Sequence, residues 1–364
     1  MRVALVHDWL TGMRGGEKVL EAVAEIYPQA DIFTLVHVKG SVSPLIESRR
    51  IRTSFIQRLP AAGRLYRHYL PLFPIAVEQF DLHAYDLVVS ISHCAAKAVI
   101  HAQGARHLCY CLTPMRYAWD QFAEYFGASR KGRAGEAVYR PIMSWMARWD
   151  AATSNRADRF VAISRYVAGR IERYYARRAD VVYPPVDTAF FCPDGSAPGA
   201  SALVVSALVP YKRVDLAIDA CARAGVPLRV IGDGPELPRL RRLAGPGVAF
   251  SGWISSAEIR DAYRRAGVVL LPGVEDFGIV PLEAQACGRP VVALAEGGAL
   301  ETVVDGVTGA LVPGRSQDAW ADAIRATLDA RLPAEPIRVH ALAFGRVRFA
   351  QEIRAEVDRA LASA

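Results

Sequence analysis

The chain has 364 residues, 52% hydrophobic and 22% charged, more than one hydrophobic core comfortably serves, so two domains are expected. No apolar run approaches the roughly 18 to 20 residues that span a bilayer. The first ten residues are interrupted by His7 and Asp8 with no small-residue cleavage site after them, so they read as a buried strand and the protein is expected in the cytoplasm. The net charge of +7 invites a phosphate-bearing partner without choosing among nucleotide, anionic lipid and nucleic acid. The six cysteines show no zinc spacing and no disulfide framework and are expected as buried thiols.

In chain order, short β-branched runs alternate with helix-period segments, the pattern of a parallel sheet covered by helices. Strands are expected near Val3–Val6, Asp31–Leu35, Leu87–Ser90, His107–Cys111 and Phe160–Ile163. Helices are expected near Glu17–Ile26 and Tyr139–Ala152, with Ser164 capping another through about Tyr175. The stretch from Arg49 to Phe73 mixes cationic and large apolar residues without acidic relief. It suits a membrane surface or lipid-phosphate acceptor, and equally a solvated basic face over a buried apolar stripe.

Tyr183-Pro-Pro-Val-Asp187 and the Pro/Gly-rich residues 192–199 break every regular pattern, which puts a boundary there: domains 1–188 and 189–345, with a terminal helix over 346–364 crossing back to the first. Alternation restarts with strands near Leu203–Ser206, Leu228–Ile231, Val248–Ser251, Val268–Leu271 and Val291–Leu294. Helices are expected near Val214–Ala224, Pro235–Leu243, Ala257–Ala266 and Ala319–Leu328. Two open α/β domains of this kind bind ligands at the carboxyl ends of their strands, in a cleft where they face each other.

The most informative segment is Pro272-Gly-Val-Glu275-Asp-Phe277-Gly278-Ile279-Val-Pro281-Leu-Glu283, between a strand and a helix. Gly278 permits close backbone approach and Pro281 suits a helix's first turn, so free N–H groups and the positive end of the helix dipole can meet phosphate. Two carboxylates eight residues apart are acceptor-only groups suited to sugar hydroxyls. Asp276-Phe277-Gly278 also spells a kinase metal-binding tripeptide, but no accompanying kinase motif exists and the match is accidental. Lys212 and Arg213 follow a strand, where a loop can bring cations to a diphosphate.

The segment resembles the E-x7-E motif of retaining GT-B glycosyltransferases, in particular glycosyltransferase family 4. Family-like pieces occur in order: Gly15-Gly16, Ser164-Arg-Tyr166, Tyr183-Pro-Pro-Val-Asp187, Val209-Pro-Tyr-Lys-Arg213, Ile231-Gly-Asp-Gly-Pro-Glu236 and Glu296-Gly-Gly-Ala-Leu-Glu301. The resemblance implies a GT-B fold of two Rossmann-like, doubly wound parallel-sheet domains. It implies that Lys212 and Glu275 are catalytic, Lys212 on the diphosphate and Glu275 on hydroxyls of the donor sugar. Glu283 would hold the ribose; Phe277, Gly278 and Ile279 would present amides. Arg213 would assist Lys212, Gly16 would approach donor phosphate or acceptor, and Gly232–Glu236 with Trp253 and Ile254 would flank the base; a plain tight turn remains the alternative for Gly232-Asp-Gly234.

On the acceptor side, residues 107–120 resemble a subgroup assigned to mannosyl transfer in polysaccharide assembly, with Arg116 and Asp120 as contacts to sugar or phosphate. Two departures stand out: Leu112 replaces a family histidine, and Ala207 replaces a frequent arginine. His93 could supply an imidazole or be structural. With no D-x-D pair in the chain, no metal and no cofactor are expected. The resemblance implies a nucleotide-sugar donor, GDP-mannose first and UDP-hexoses next, and a glycan or polyprenyl-diphosphate-linked acceptor, with possible peripheral contact with the inner face of the cytoplasmic membrane and no nucleic acid. The rival readings are a GT-B-like sugar-nucleotide binder without catalysis, and a dinucleotide-dependent oxidoreductase, for which the glycine fingerprint is missing.

Overall fold

The computed structural model describes residues 1–362, and for residues 128–131 the backbone alone. The chain divides into two compact units. Unit 1 runs from Met1 to Pro185 and takes up the terminal helix from Val347 on; unit 2 is Val186–Arg346. Residues 186–188, read from the sequence as the end of the first domain, belong to unit 2, because Val186 bridges to Gly345 and its N–H donates to the carbonyl of Phe344 at 2.9 Å.

Unit 1 is built on seven parallel strands: β1 (Val3–His7), β2 (Asp31–Thr34), β3 (Ile51–Thr53), β4 (Leu87–Ser92), β5 (Arg106–Cys111), β6 (Arg159–Ala162) and β7 (Ala179–Val181), in the order β3-β2-β1-β4-β5-β6-β7. Every residue of β1 and β4 is buried, which is why both read as unbroken apolar runs: helices cover both faces of such a sheet. The edge strands β3 and β7 are three residues long and only partly buried, so they carry no pattern a sequence reading can detect. The terminal helix Arg346–Ala362 packs on this unit. Phe349 meets the Tyr110 ring edge-on at 5.7 Å, and Arg159 pairs with Glu356 at 2.7 Å.

The basic apolar stretch folds as β3 followed by short helical turns. Ile56, Tyr66, Leu70 and Phe73 join the core around Trp9, while Arg58, Arg64, Arg67 and His68 stay exposed. Most of the apolar half of that composition is therefore internal, with Leu65 exposed, and its cations form a surface.

Unit 2 repeats the plan with six parallel strands: β8 (Ala202–Val205), β9 (Leu228–Ile231), β10 (Val248–Phe250), β11 (Val268–Leu271), β12 (Val291–Leu294) and β13 (Gly309–Val312), ordered β10-β9-β8-β11-β12-β13. Helix starts follow their caps. Ser164 accepts from the N–H of Val167 at 3.0 Å, and Ser255 with Glu258 forms a capping box for Ser256–Arg265. In each sheet the strand order reverses once, between β1 and β4 and between β8 and β11. Ligands bind at the carboxyl ends of strands at such a switch point.

No helix among the described residues is long and apolar enough to cross a membrane.

Candidate active site

In unit 2 the two loops leaving the switch point are Ser206–Arg213, after β8, and Pro272–Gly278, after β11. Glycine lets them touch. A Cβ on Gly273 would stand 2.5 Å from the carbonyl oxygen of Tyr211 and 2.6 Å from the Cα of Lys212, so only a hydrogen there allows the loops to pack. The result is a direct contact between Lys212 Nζ and Glu275 Oε1, each side chain about one-sixth exposed. The sequence-expected cation and carboxylate, 63 residues apart, are thus neighbours.

Glu283 lies on the helix Ile279–Ala286, where Tyr263, fully buried on the neighbouring helix, donates its hydroxyl to Oε2 at 3.1 Å. Burial and the adjacent carboxylate push the Tyr263 phenol well above its ordinary pKa, so it remains a donor. Gly278, at φ 94°, caps that helix in the left-handed region, leaving the first-turn N–H groups without a side-chain cap. Phe277 is buried.

The loop is braced from behind by Gly298, which lies in the family-like piece 296–301, and by Thr302, Gln285 and His340, which sequence reasoning missed. Gly298 is pressed against Phe277, where a Cβ would fall 2.3 Å from Cα, and its N–H donates to the carbonyl of Glu275 at 2.8 Å. Thr302 donates its hydroxyl to the Gly298 carbonyl at 3.2 Å. The amide of buried Gln285 donates to the carbonyl of Thr302 at 2.7 Å, and the Gln285 carbonyl oxygen lies 2.7 Å from His340 Nδ1. The glycine pair 297–298 in that piece marks a close backbone approach without saying to what.

Arg213 sits at φ 49° and pairs at 3.0 Å with Asp215 in the first turn of the helix that follows, so its charge is already partnered within unit 2. Gly232 and Gly234 pack on the β8 loop: a Cβ on either would meet the carbonyl of Ser206 at 1.9 Å or of Leu208 at 2.4 Å. The turn therefore shapes the loop that carries Lys212. Ala207 is exposed on that loop, Trp253 is 65% exposed, and Ile254 packs partly against the core.

In unit 1, Gly16 opens the helix Gly15–Ile26 after β1. A Cβ there would stand 2.9 Å from Leu112 Cδ1 and 3.2 Å from His7 Nε2, so the first helical turn lies directly on the ends of β1 and β5. Burial, with His93 nearby, lowers the His7 imidazole to about 4. Asp8, fully buried, gathers the loop after β4: Oδ2 accepts from the N–H groups of His93 (2.7 Å) and Cys94 (3.0 Å), Oδ1 from those of Ala95 (2.6 Å) and Ala96 (2.8 Å). Arg116 begins a short helix after β5. Asp120, at its end, is held by Arg170 and by the Tyr174 hydroxyl, so both of its oxygens are engaged within unit 1.

The two parallel sheets, each reversing its strand order once, define an α/β protein of GT-B architecture, with Lys212 against Glu275 at the switch point of unit 2. Residues 13–190 match the family model described as Glycosyltransferase Family 4, and residues 198–338 the model Glycosyl transferases group 1. The chain belongs to the GT-B glycosyltransferases.

The chain is 33% identical to the D-inositol 3-phosphate glycosyltransferase of Mycolicibacterium smegmatis over 257 residues, 63% of this chain and 58% of that one. To the GDP-mannose-dependent alpha-(1-6)-phosphatidylinositol monomannoside mannosyltransferase of the same organism it is 38% identical over 201 residues, 47% of this chain and 53% of that one. It spans about half the length of the curated relatives it matches. Among solved structures, Anabaena HepE in complex with UDP superposes with a TM-score of 0.76 at 20% identity, over 99% of this chain and 100% of that one. Sucrose-phosphate synthase from Thermosynechococcus elongatus superposes at 0.69 and 20%, over all of both chains.

Proposed function

We propose that the protein transfers a hexose from a nucleotide-sugar donor to a glycan or lipid-linked acceptor, with retention at the anomeric carbon and without a metal ion. The observation that carries this reading is the contact between Lys212 and Glu275 at the switch point of unit 2. A diphosphate offers Lys212 a stronger partner, and sugar hydroxyls offer one to Glu275, so a single ligand separates the pair and engages both. Arg213 adds charge, the N–H groups of Phe277, Gly278 and Ile279 face the phosphate, and Glu283, aimed by Tyr263, takes the ribose hydroxyls.

In the reaction, the acceptor oxygen forms the new bond to the anomeric carbon on the face from which the diphosphate departs. The C–O bond to the diphosphate breaks, and the acceptor's proton passes to a phosphate oxygen. Negative charge grows on the leaving group as that bond lengthens, so Lys212 acts most strongly in the transition state.

GDP-mannose is the first choice of donor, supported by the mannosyltransferase relative named above. A UDP-hexose is the second, favoured by the likeness to HepE, which was solved with UDP-glucose. The exposed Arg58, Arg64 and Arg67 support peripheral contact with an anionic membrane.

Thermal-shift titration with GDP, UDP, ADP and their sugar conjugates in EDTA tests the reading, because a ligand bound only by the folded state raises its stability. A GDP-selective response supports mannosyl transfer, and a UDP-selective one overturns that donor. No response to any of them overturns the transferase.

A further inference from the structure

We propose that His340 is a positioning residue for the loop Glu275–Gly278: Gln285 holds it with its proton on Nδ1, and through Gln285 and Thr302 it sets the direction of the peptide groups that meet the sugar end of the donor. The proposal rests on the transferase reading and deepens it, adding a residue that acts only through its neighbours.

Gln285 is fully buried on the helix Ile279–Ala286, and His340 stands in the last turn of the helix Ala334–Leu342, which packs against it. The Gln285 amide has two unlike ends. One end lies 2.7 Å from the carbonyl oxygen of Thr302, where only the NH2 group can stand, since two carbonyl oxygens have no proton to share. The other end, facing His340 Nδ1 at 2.7 Å, is therefore the oxygen, which can only accept. Nδ1 consequently carries a proton. Burial lowers the His340 imidazole, so the ring is neutral at physiological pH and Nε2 is bare, the reverse of the tautomer that a free imidazole favours.

Thr302, also fully buried, shares its hydroxyl proton between the carbonyl oxygens of Gly298 at 3.2 Å and Phe277 at 3.5 Å. The N–H of Gly298 in turn donates to the carbonyl of Glu275 at 2.8 Å. The carbonyls of Glu275 and Phe277 are thus both drawn toward the segment 298–302. A trans peptide points its N–H opposite to its C=O, so the N–H of Gly278 is turned the other way. That group opens a helix with no side-chain cap and is one of those assigned to the phosphate in the transferase reading. A second path runs through rings: His340 leans on Phe344 at 5.3 Å, and Phe344 on Phe277 at 6.0 Å. Both paths start at one imidazole and end at Phe277, inside unit 2.

The full chain labelled with 15N-histidine gives the tautomer from its ring nitrogen signals, assigned through His340→Asn. Calorimetric titration then compares GDP with GDP-mannose, and UDP with UDP-glucose, in the wild type, in His340→Phe and in His340→Asn. Phenylalanine keeps a ring against Phe344 and removes the donor. Asparagine gives up the ring and presents an N–H as many bonds from Cα as Nδ1 is, so the two variants separate the polar path from the aromatic one.

A proton on Nδ1 is expected in the wild type. His340→Phe should bind the sugar nucleotide that the wild type prefers about tenfold more weakly, and the matching diphosphate by a smaller factor, because on that reading Glu275 meets only the sugar. His340→Asn should recover most of the loss. A proton on Nε2 alone, unchanged sugar-nucleotide affinity in His340→Phe, or no recovery in His340→Asn overturns the proposal. So does a loss equal for both ligands, which is what a merely structural residue would give. Gln285→Met repeats the comparison should His340→Phe fail to fold. If the wild type binds none of the four nucleotides, the transferase reading falls and the donor role with it, and the tautomer then reports on the hydrogen-bond relay separately.

Discussion

Tyr263 and Glu283 stand 20 residues apart in sequence and 3.1 Å apart in space, a phenol donating to a carboxylate inside the core of unit 2. Tyr263→Phe removes the donor and leaves Glu283 buried with less support. A net loss of about 1 kcal/mol in stability is expected. Nucleoside diphosphate binding should weaken several-fold while the response of the protein to free phosphate is unchanged; calorimetric titration reads both. Equal weakening toward both ligands would remove Glu283 from the ribose.

The Lys212–Glu275 contact leads to a comparison of two single variants. Lys212→Ala and Glu275→Ala should each lower transfer by about 100-fold or more, as loss of a transition-state contact does. The lysine variant should also lose affinity for the free nucleoside diphosphate, whereas the glutamate variant should not, because on the proposed reading only the sugar meets Glu275. Equal loss of nucleoside diphosphate affinity in both would contradict that division of roles.

Gly298→Ala places a methyl group 2.3 Å from the Cα of Phe277 and 2.4 Å from its carbonyl oxygen, where no side chain can move aside. The loop carrying Glu275 has to shift, at a cost of about 1 to 3 kcal/mol. A fall of several degrees in the melting temperature together with loss of donor binding is expected. Gly12→Ala, whose Cβ meets nothing within 4 Å but whose φ of 153° is strained for any side chain, should destabilise without affecting nucleotide affinity at unit 2.

Stability should depend on pH in two opposing ways. Burial raises the Glu17 carboxyl from 4.5 to about 7, so its stabilising contribution is complete below pH 4.5 and is lost as pH rises through 7, a change of about 3 kcal/mol. Glu17→Gln should therefore gain on the wild type progressively between those values when melting temperatures are compared. Burial lowers His7 and His107 from 6.5 to about 4, so their contribution is present above pH 6.5 and lost as pH falls through 4. In the Gln variant the acid-side loss is no longer offset, and melting temperature should fall more steeply below pH 6.5 than in the wild type. Parallel pH profiles would show Glu17 to be titrating normally.

Periodicity alone determined the central strands and their helices, because a strand covered on both faces must be apolar throughout, as Leu87–Ser92 is, and because a cap such as Ser164 acts on residues three positions away. The resemblance of residues 275–283 to a family motif singled out Glu275 and Glu283 in the sequence, and the cations after a strand singled out Lys212, since phosphate and hydroxyl recognition restrict the residue types. Two features were decided only in three dimensions: that Gly273 brings Lys212 onto Glu275, and that Asp120 is claimed by Arg170 and Tyr174. Each depends on contacts between segments tens of residues apart, and such contacts leave no period or spacing in the chain. The short edge strands β3 and β7 escaped for a related reason, since their pairing is supplied by the neighbouring strand and not by their own apolar pattern.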